Sequence, residues 1–207
     1  MNPPRSARWP VVCLLALIAA VHGCSRWQPA LSEAQRYDRW RQAHTADVTA
    51  YSTWLRTQQL HQVAPMSSLL RSSRRWRECQ ADEFATPPRA QWEAMQPTLR
   101  LLATLQAHHL LDGRLIRSAY RDDRLNACSG GSAASRHLRN NALDLDLPEG
   151  VSVAALCSYW RREGAKQRMG LGFYTPTRIH IDTSGFRTWG TDHRRGSSLC
   201  VAPPQRN

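Results

Sequence analysis

Ala142-Leu143-Asp144-Leu145-Asp146-Leu147 alternates without a break, three leucines on one face and two aspartates on the other. Arg178-Ile179-His180-Ile181-Asp182 repeats the pattern, with isoleucines inward and Arg, His and Asp outward. A period of two over five or six residues is the mark of a strand with one buried face. These two stretches set the expectation for the fold. From Gly113 onward, short strand-like runs alternate with Gly, Asn and Ser clusters; Arg114 to Ser118 is a further candidate strand. Between the two alternating runs, Val153 to Arg162 has helical spacing, with Ser152 placed to cap it. Before Gly113 the texture is helical. Trp40, Val48, Tyr51, Trp54 and Leu55 recur at helical intervals within residues 27–62, which predicts one or two amphipathic helices. A second helical stretch follows Thr86-Pro87-Pro88, with Thr86 as the expected cap. It turns Trp92, Met95, Leu99, Leu102 and Leu105 inward, carries Pro97 as a possible kink, and stops by Asp112-Gly113. Helices first, then a mostly antiparallel sheet with one inserted helix, is an α+β arrangement.

The chain has 207 residues, 42% hydrophobic and 21% charged, with eight tryptophans. That is enough apolar material for one domain and its extension, and it excludes wholesale disorder. The expected division is a helical extension over residues 24–86 and a principal domain over 87–207. The net charge of +12 is almost wholly arginine, because Lys166 is the single lysine. The densest basic stretch, Arg71 to Arg77, is broken by Ser and Trp and followed by Glu78, so no basic tract calls for nucleic acid. A basic surface beside anionic envelope polymers fits this charge as well.

Arg5 and Arg8 followed by an apolar run from Val11 to Val21 have the form of an export signal, too short to span a bilayer. The run ends at Val21-His22-Gly23-Cys24, which resembles a bacterial lipoprotein box. Residues 1–23 are therefore expected to be removed and Cys24 lipidated, leaving a monomer anchored at the periplasmic face of a bacterial membrane, the outer one by preference. Setting aside Cys13 and Cys24, four cysteines remain: Cys79, Cys128, Cys157 and Cys200. With no Cys-x-x-Cys pair among them, two disulfides are expected rather than a zinc knot, in any of three connectivities.

Two aspartates on the polar face of one strand call for something positive. His137 lies seven residues before Asp144, and His180 projects from the polar face of the second strand. If the strands are neighbours, His137, Asp144 and His180 converge, and two imidazoles with one carboxylate are a three-donor set suited to catalytic zinc with a fourth position open. Asp146 and Asp182 share those faces and can orient the imidazoles. The spacing alone is equally compatible with a surface histidine and aspartates paired to arginines. His108 and His109, near the end of a helix, read as cations at a dipole rather than as ligands.

The surrounding residues narrow this. Ser118-Ala119-Tyr120-Arg121, Asn126, Gly130-Gly131, Ser135-Arg136-His137, Ala142 and Asp144, then Ile179-His180-Ile181-Asp182-Thr183, Gly185, Arg187 and Trp189, together resemble the zinc D-alanyl-D-alanine carboxypeptidases. That group includes vancomycin-resistance dipeptidases and phage endolysin peptidases and shares its fold with the hedgehog signalling domain. The resemblance covers residues 112 to 190. It implies a zinc peptidase acting on peptidoglycan stem peptides, as a D,D- or L,D-carboxypeptidase or as a murein endopeptidase. It assigns the zinc ligands to His137, Asp144 and His180. Arg121 becomes the group that holds the substrate and stabilises its carbonyl, and Ser135 a pocket residue. Two positions depart from the pattern. Asn140 stands where glycine is usual, and asparagine tolerates the left-handed conformation such a turn needs. Thr177 stands where several branches have a general-base carboxylate, which makes Asp182 the first candidate for the base and His193 the second. The alternative is a non-catalytic envelope lipoprotein that binds murein or a partner protein.

Overall fold

The computed structural model describes residues 30–201. The export signal and Cys24 lie outside the described residues. Helices α1 (Glu33–Ala43) and α2 (Thr45–Thr57) form the expected pair, and α1 opens on a capping box in which Ser32 and Gln35 satisfy each other's backbone N–H groups. Val48, Tyr51 and Leu55 are buried, while Trp40 and Trp54 pack against the core from its edge. A short turn of helix, α3 (Met66–Leu69), precedes the long α4 (Trp92–Ala107). Trp92, Met95, Leu99, Leu102 and Leu105 are all buried on α4, as their spacing predicts. Pro97 is accommodated inside this one helix: its missing N–H falls in the second turn, where only one bond, to the Glu93 carbonyl, is forfeited.

The expected cap at Thr86 is not used. Pro87 and Pro88 lead into a 3₁₀ turn (Arg89–Gln91), and α4 begins after it with no side-chain cap. Thr86 Oγ1 is instead buried without a partner, and the Pro87 carbonyl accepts from Trp92 Nε1 at 2.9 Å.

The sheet has five strands in the order β1-β2-β4-β3-β5: β1 (Ile116–Ser118), β2 (Ala142–Asp146), β3 (Gly170–Thr175), β4 (Arg178–Asp182) and β5 (Arg187–Trp189). Every pairing is antiparallel except β3 with β5. Two helices interrupt the strands rather than one: the six-residue α5 (Asp123–Cys128) and α6 (Val153–Glu163), which Ser152 caps through Ala155 N–H. One face of the sheet presents Leu143, Leu145, Leu171, Phe173, Ile179 and Ile181, all at most 1% exposed, to a core shared with α2, α4 and α6. Burying such side chains is worth roughly 1.5–3 kcal/mol each. It also fixes the register, since a slip of one residue would turn every leucine outward. The opposite face is thereby committed to polar residues. Disulfides join Cys79 to Cys128 and Cys157 to Cys200. The first ties the segment before α4 to α5; the second ties α6 to the end of the described chain.

Candidate metal centre

In the β2–β4 ladder Asp144 lies directly opposite His180, and in the β3–β4 ladder Gly172 does. Leucine and isoleucine on the far face force both polar side chains to the same side. His137 arrives from a 3₁₀ turn (His137–Arg139) that Asn140 ends in the left-handed region at φ 50°, ψ 45°. The residue expected to tolerate that conformation adopts it, and its Nδ2 donates to the Gln91 carbonyl at 3.1 Å. Three donor atoms meet. His137 Nε2 is 3.1 Å from Asp144 Oδ1 and 3.3 Å from His180 Nδ1, and His180 Nδ1 is 2.9 Å from Asp144 Oδ1. All three residues are buried.

The outer nitrogens decide what these atoms can do. His137 Nδ1 donates to the Ala119 carbonyl at 2.5 Å, and His180 Nε2 donates to Asp182 Oδ2 at 3.0 Å. Each neutral ring therefore turns a lone pair inward. When both rings are neutral, two lone pairs and a carboxylate oxygen face one another, an arrangement that a cation, whether a proton on His180 or a metal ion, resolves. Donors on tetrahedral zinc, each roughly 2.0–2.1 Å from the ion, stand about 3.3 Å from one another, and the three separations of 2.9, 3.1 and 3.3 Å approach that spacing. The chemistry of the donor set fits zinc.

The electrostatics point the same way. Burial, then the Arg121 guanidinium, push the His137 imidazole down to about 4, so the ring is neutral and its lone pair available. Burial works against a charge on His180 too, but Asp144 and Asp182 outweigh it and raise its pKa. Positive charge is favoured at that spot. Asp144 is held well below the carboxylate range: burial opposes ionisation, and the Arg121 guanidinium paired with its Oδ2 works against that cost.

Arg121 is 8% exposed and donates from Nη2 to Asp144 Oδ2 and from Nε to Ser118 Oγ at 2.9 Å. Its neighbour Asp122 is occupied elsewhere, capping α5 through Leu125 N–H at 2.7 Å. Ser135 Oγ accepts from His137 N–H at 3.3 Å, and both Arg121 and Ser135 line a cavity of about 500 Å3 with His137 and His180 at its floor.

Two carboxylates sit differently from their sequence expectation. Asp182 is not at the cavity wall. It is fully buried behind His180, and its two oxygens accept from His180 Nε2, from Arg187 Nη1 and Nη2 at 3.0 and 2.6 Å, and from Ser184 N–H at 2.7 Å. Against the cost of burial, His180 and Arg187 depress its pKa strongly. A carboxylate so saturated orients the imidazole and has no free oxygen to take a proton from the cavity. Asp146 touches neither histidine. It reaches toward β1, where Arg117 Nε donates to it at 2.7 Å and Arg74 also pairs with it. Thr177 lies exposed in the β3–β4 turn, away from the cavity.

The sequence reading passed over Tyr174. Its ring lines the cavity, and its hydroxyl donates to Asp144 Oδ1 at 3.2 Å and lies 3.5 Å from His180 Nδ1. The Trp189 ring packs at a tilt 5.1 Å from the His180 ring, and a Cβ on Gly172 would come within 2.3 Å of that indole. Arg136, His193 and Arg195 complete the outer wall, and no Asp or Glu among the described residues lines it.

A family model described as Peptidase M15 matches residues 66–182, more than half the chain, from α3 to the end of β4 with all three donor residues inside the span. No curated protein and no solved structure matches the chain.

Proposed function

On the premise that the chain belongs to the Peptidase M15 family and is a zinc metallopeptidase, we propose that it hydrolyses peptidoglycan stem peptides, as a D,D- or L,D-carboxypeptidase or a crosslink endopeptidase. The observation that carries the reading is the meeting of His137 Nε2, Asp144 Oδ1 and His180 Nδ1, with the two imidazoles lining the floor of an open cavity. When bound there, zinc supplies Lewis acidity, lowering the pKa of water to roughly 7 and polarising a carbonyl. The protein's own groups do the rest. Ala119 O and Asp182 hold the two imidazoles in the tautomers that present lone pairs. Arg121, pinned by Ser118 and Asp144, aims a fixed guanidinium at the charge that develops on a peptide carbonyl oxygen. Ser135 shapes the wall on which the substrate rests. His193 is the wall's imidazole with no side-chain partner among the described residues, and so is the group placed to accept a proton and return it to the leaving amine.

Support for stem peptides as substrate comes from the expected export signal at residues 1–23, the expected lipoprotein box at Cys24 and the basic charge, in a reading where the chain works beside murein as a lipid-anchored monomer. Two disulfides suit that oxidising compartment. The test is mass spectrometry of defined muropeptides incubated with wild type, with His137→Ala and with a chelator. Release of a terminal residue or a crosslinked peptide by wild type alone is expected; release that persists in the variant contradicts the mechanism. A second reading, a non-catalytic lipoprotein that binds murein, is favoured by the absence of a carboxylate from the cavity wall among the described residues. Zinc retained without cleavage of any muropeptide would select it.

A further inference from the structure

Tyr174 stands on the polar face of β3, two residues beyond Gly172, the ladder partner of His180. A phenol has one proton to donate. The acceptors Tyr174 reaches are Asp144 Oδ1 at 3.2 Å and His180 Nδ1 at 3.5 Å, the same two atoms that the peptidase reading gives to zinc. A bound ion would take the single ring lone pair of His180 Nδ1 and one of the lone pairs of Asp144 Oδ1. No other acceptor among the described residues is within hydrogen-bond distance of the hydroxyl, so its O–H has a weakened carboxylate oxygen and whatever enters the cavity to choose between. The side chain is 36% exposed, so it meets the cavity rather than the core. Arg121 grips the other oxygen of the same carboxylate, Oδ2. Two donors, one cationic and one neutral, thus flank Asp144.

We infer that Tyr174 is a catalytic residue that donates a hydrogen bond to the oxygen of the scissile peptide group as that oxygen gains negative charge. The inference rests on the peptidase reading. Its geometric basis is that a hydroxyl 3.2–3.5 Å from two of the three donor atoms borders the position left open beside them. A donor there needs no reorganisation at the moment of reaction, which is the condition under which one hydrogen bond is worth about 10²–10³ in rate. The placement is also selective. Once the donor set is filled, the hydroxyl's one standing acceptor among the described residues is a carboxylate oxygen whose charge is shared with the ion, so the reacting oxygen competes for its proton as it gains charge.

The test compares wild type with Tyr174→Phe, which removes one oxygen and keeps the ring. Zinc affinity is read by competition with a chelator. Affinity of the zinc-loaded protein for acetohydroxamate, an oxyanion probe that needs no peptide substrate, is read by calorimetry. The expected result is zinc affinity within about twofold and acetohydroxamate binding weaker by about tenfold or more, as loss of a hydrogen bond to a charged group implies. On muropeptides kcat should fall by about 10²–10³ with KM nearly unchanged. Equal acetohydroxamate affinity in the two proteins overturns the inference. So does a tenfold loss of zinc affinity, which would make the phenol a ligand rather than a donor. Should wild type cleave no muropeptide, the substrate reading falls, and the acetohydroxamate comparison still decides the role of Tyr174.

Discussion

Asp182→Asn changes one oxygen to nitrogen at a fully buried position, and the structure gives two separate consequences. The first is at His180. The amide must offer its oxygen to His180 Nε2–H, which turns the NH2 toward Arg187, or offer its NH2 to Nε2, which drives the proton to Nδ1 and blocks the inward lone pair. Either choice weakens the hold on a metal, and losing such a supporting contact typically costs about 10–100-fold in affinity, or about 1.4–2.7 kcal/mol. The second is at Arg187, which loses its counter-charge. Breaking a fully buried pair costs about 3–5 kcal/mol, but this guanidinium is 38% exposed and can rehydrate, so about 2–3 kcal/mol of stability is expected. Zinc affinity is measured by chelator competition, stability by calorimetry and kcat at saturating zinc on muropeptides. A positioning role predicts weaker zinc binding with kcat at saturating zinc within about tenfold of wild type. Zinc affinity unchanged while kcat falls by 10² or more would refute it, because that is the signature of a group handling the proton.

Arg121→Lys keeps the charge and loses the fork that spans Ser118 and Asp144, so kcat should fall by about 10²–10³ with zinc still bound; stoichiometric zinc together with wild-type kcat would remove Arg121 from the chemistry. Gly172→Ala drives a Cβ into the Trp189 indole, which is itself packed on His180, and a loss of about 1–3 kcal/mol in thermal melts is expected. Replacing Cys79 and Cys128 together by alanine opens a loop of 49 residues, worth about 4 kcal/mol in the chain-entropy picture. That should lower the melting temperature by about 8–16 °C, and a melting temperature insensitive to the double substitution would show that the bridge does not close the loop in solution.

The sheet was legible because β2 and β4 are half-buried strands whose alternation is complete, and the same alternation placed Asp144 and His180 on one face. Asn140 and the Ser152 cap were legible as local backbone chemistry. β3 was not. In Gly170-Leu171-Gly172-Phe173-Tyr174, glycines occupy two of the three polar-face positions. A Cβ at Gly170 would meet Asp182 Oδ2 at 2.6 Å, and one at Gly172 would meet Trp189. The faint signal that could have found Tyr174 is its place at the end of that Gly-x-Gly-x-Tyr face. The partner of Arg121 was not legible, because helix capping takes its chain neighbour Asp122 and the fold brings Asp144 to the guanidinium from 23 residues away. Thr86 was misread because Pro87 and Pro88 impose a 3₁₀ entry before α4. The pairing of the four cysteines depends on which elements are adjacent in space, and no spacing carries that.

The most direct measurement is anomalous diffraction at the zinc edge from crystals of the protein grown with zinc. The account predicts one peak per chain, roughly 2.0–2.2 Å from His137 Nε2, Asp144 Oδ1 and His180 Nδ1. A map with no peak between those three atoms, or with zinc held elsewhere, would contradict it.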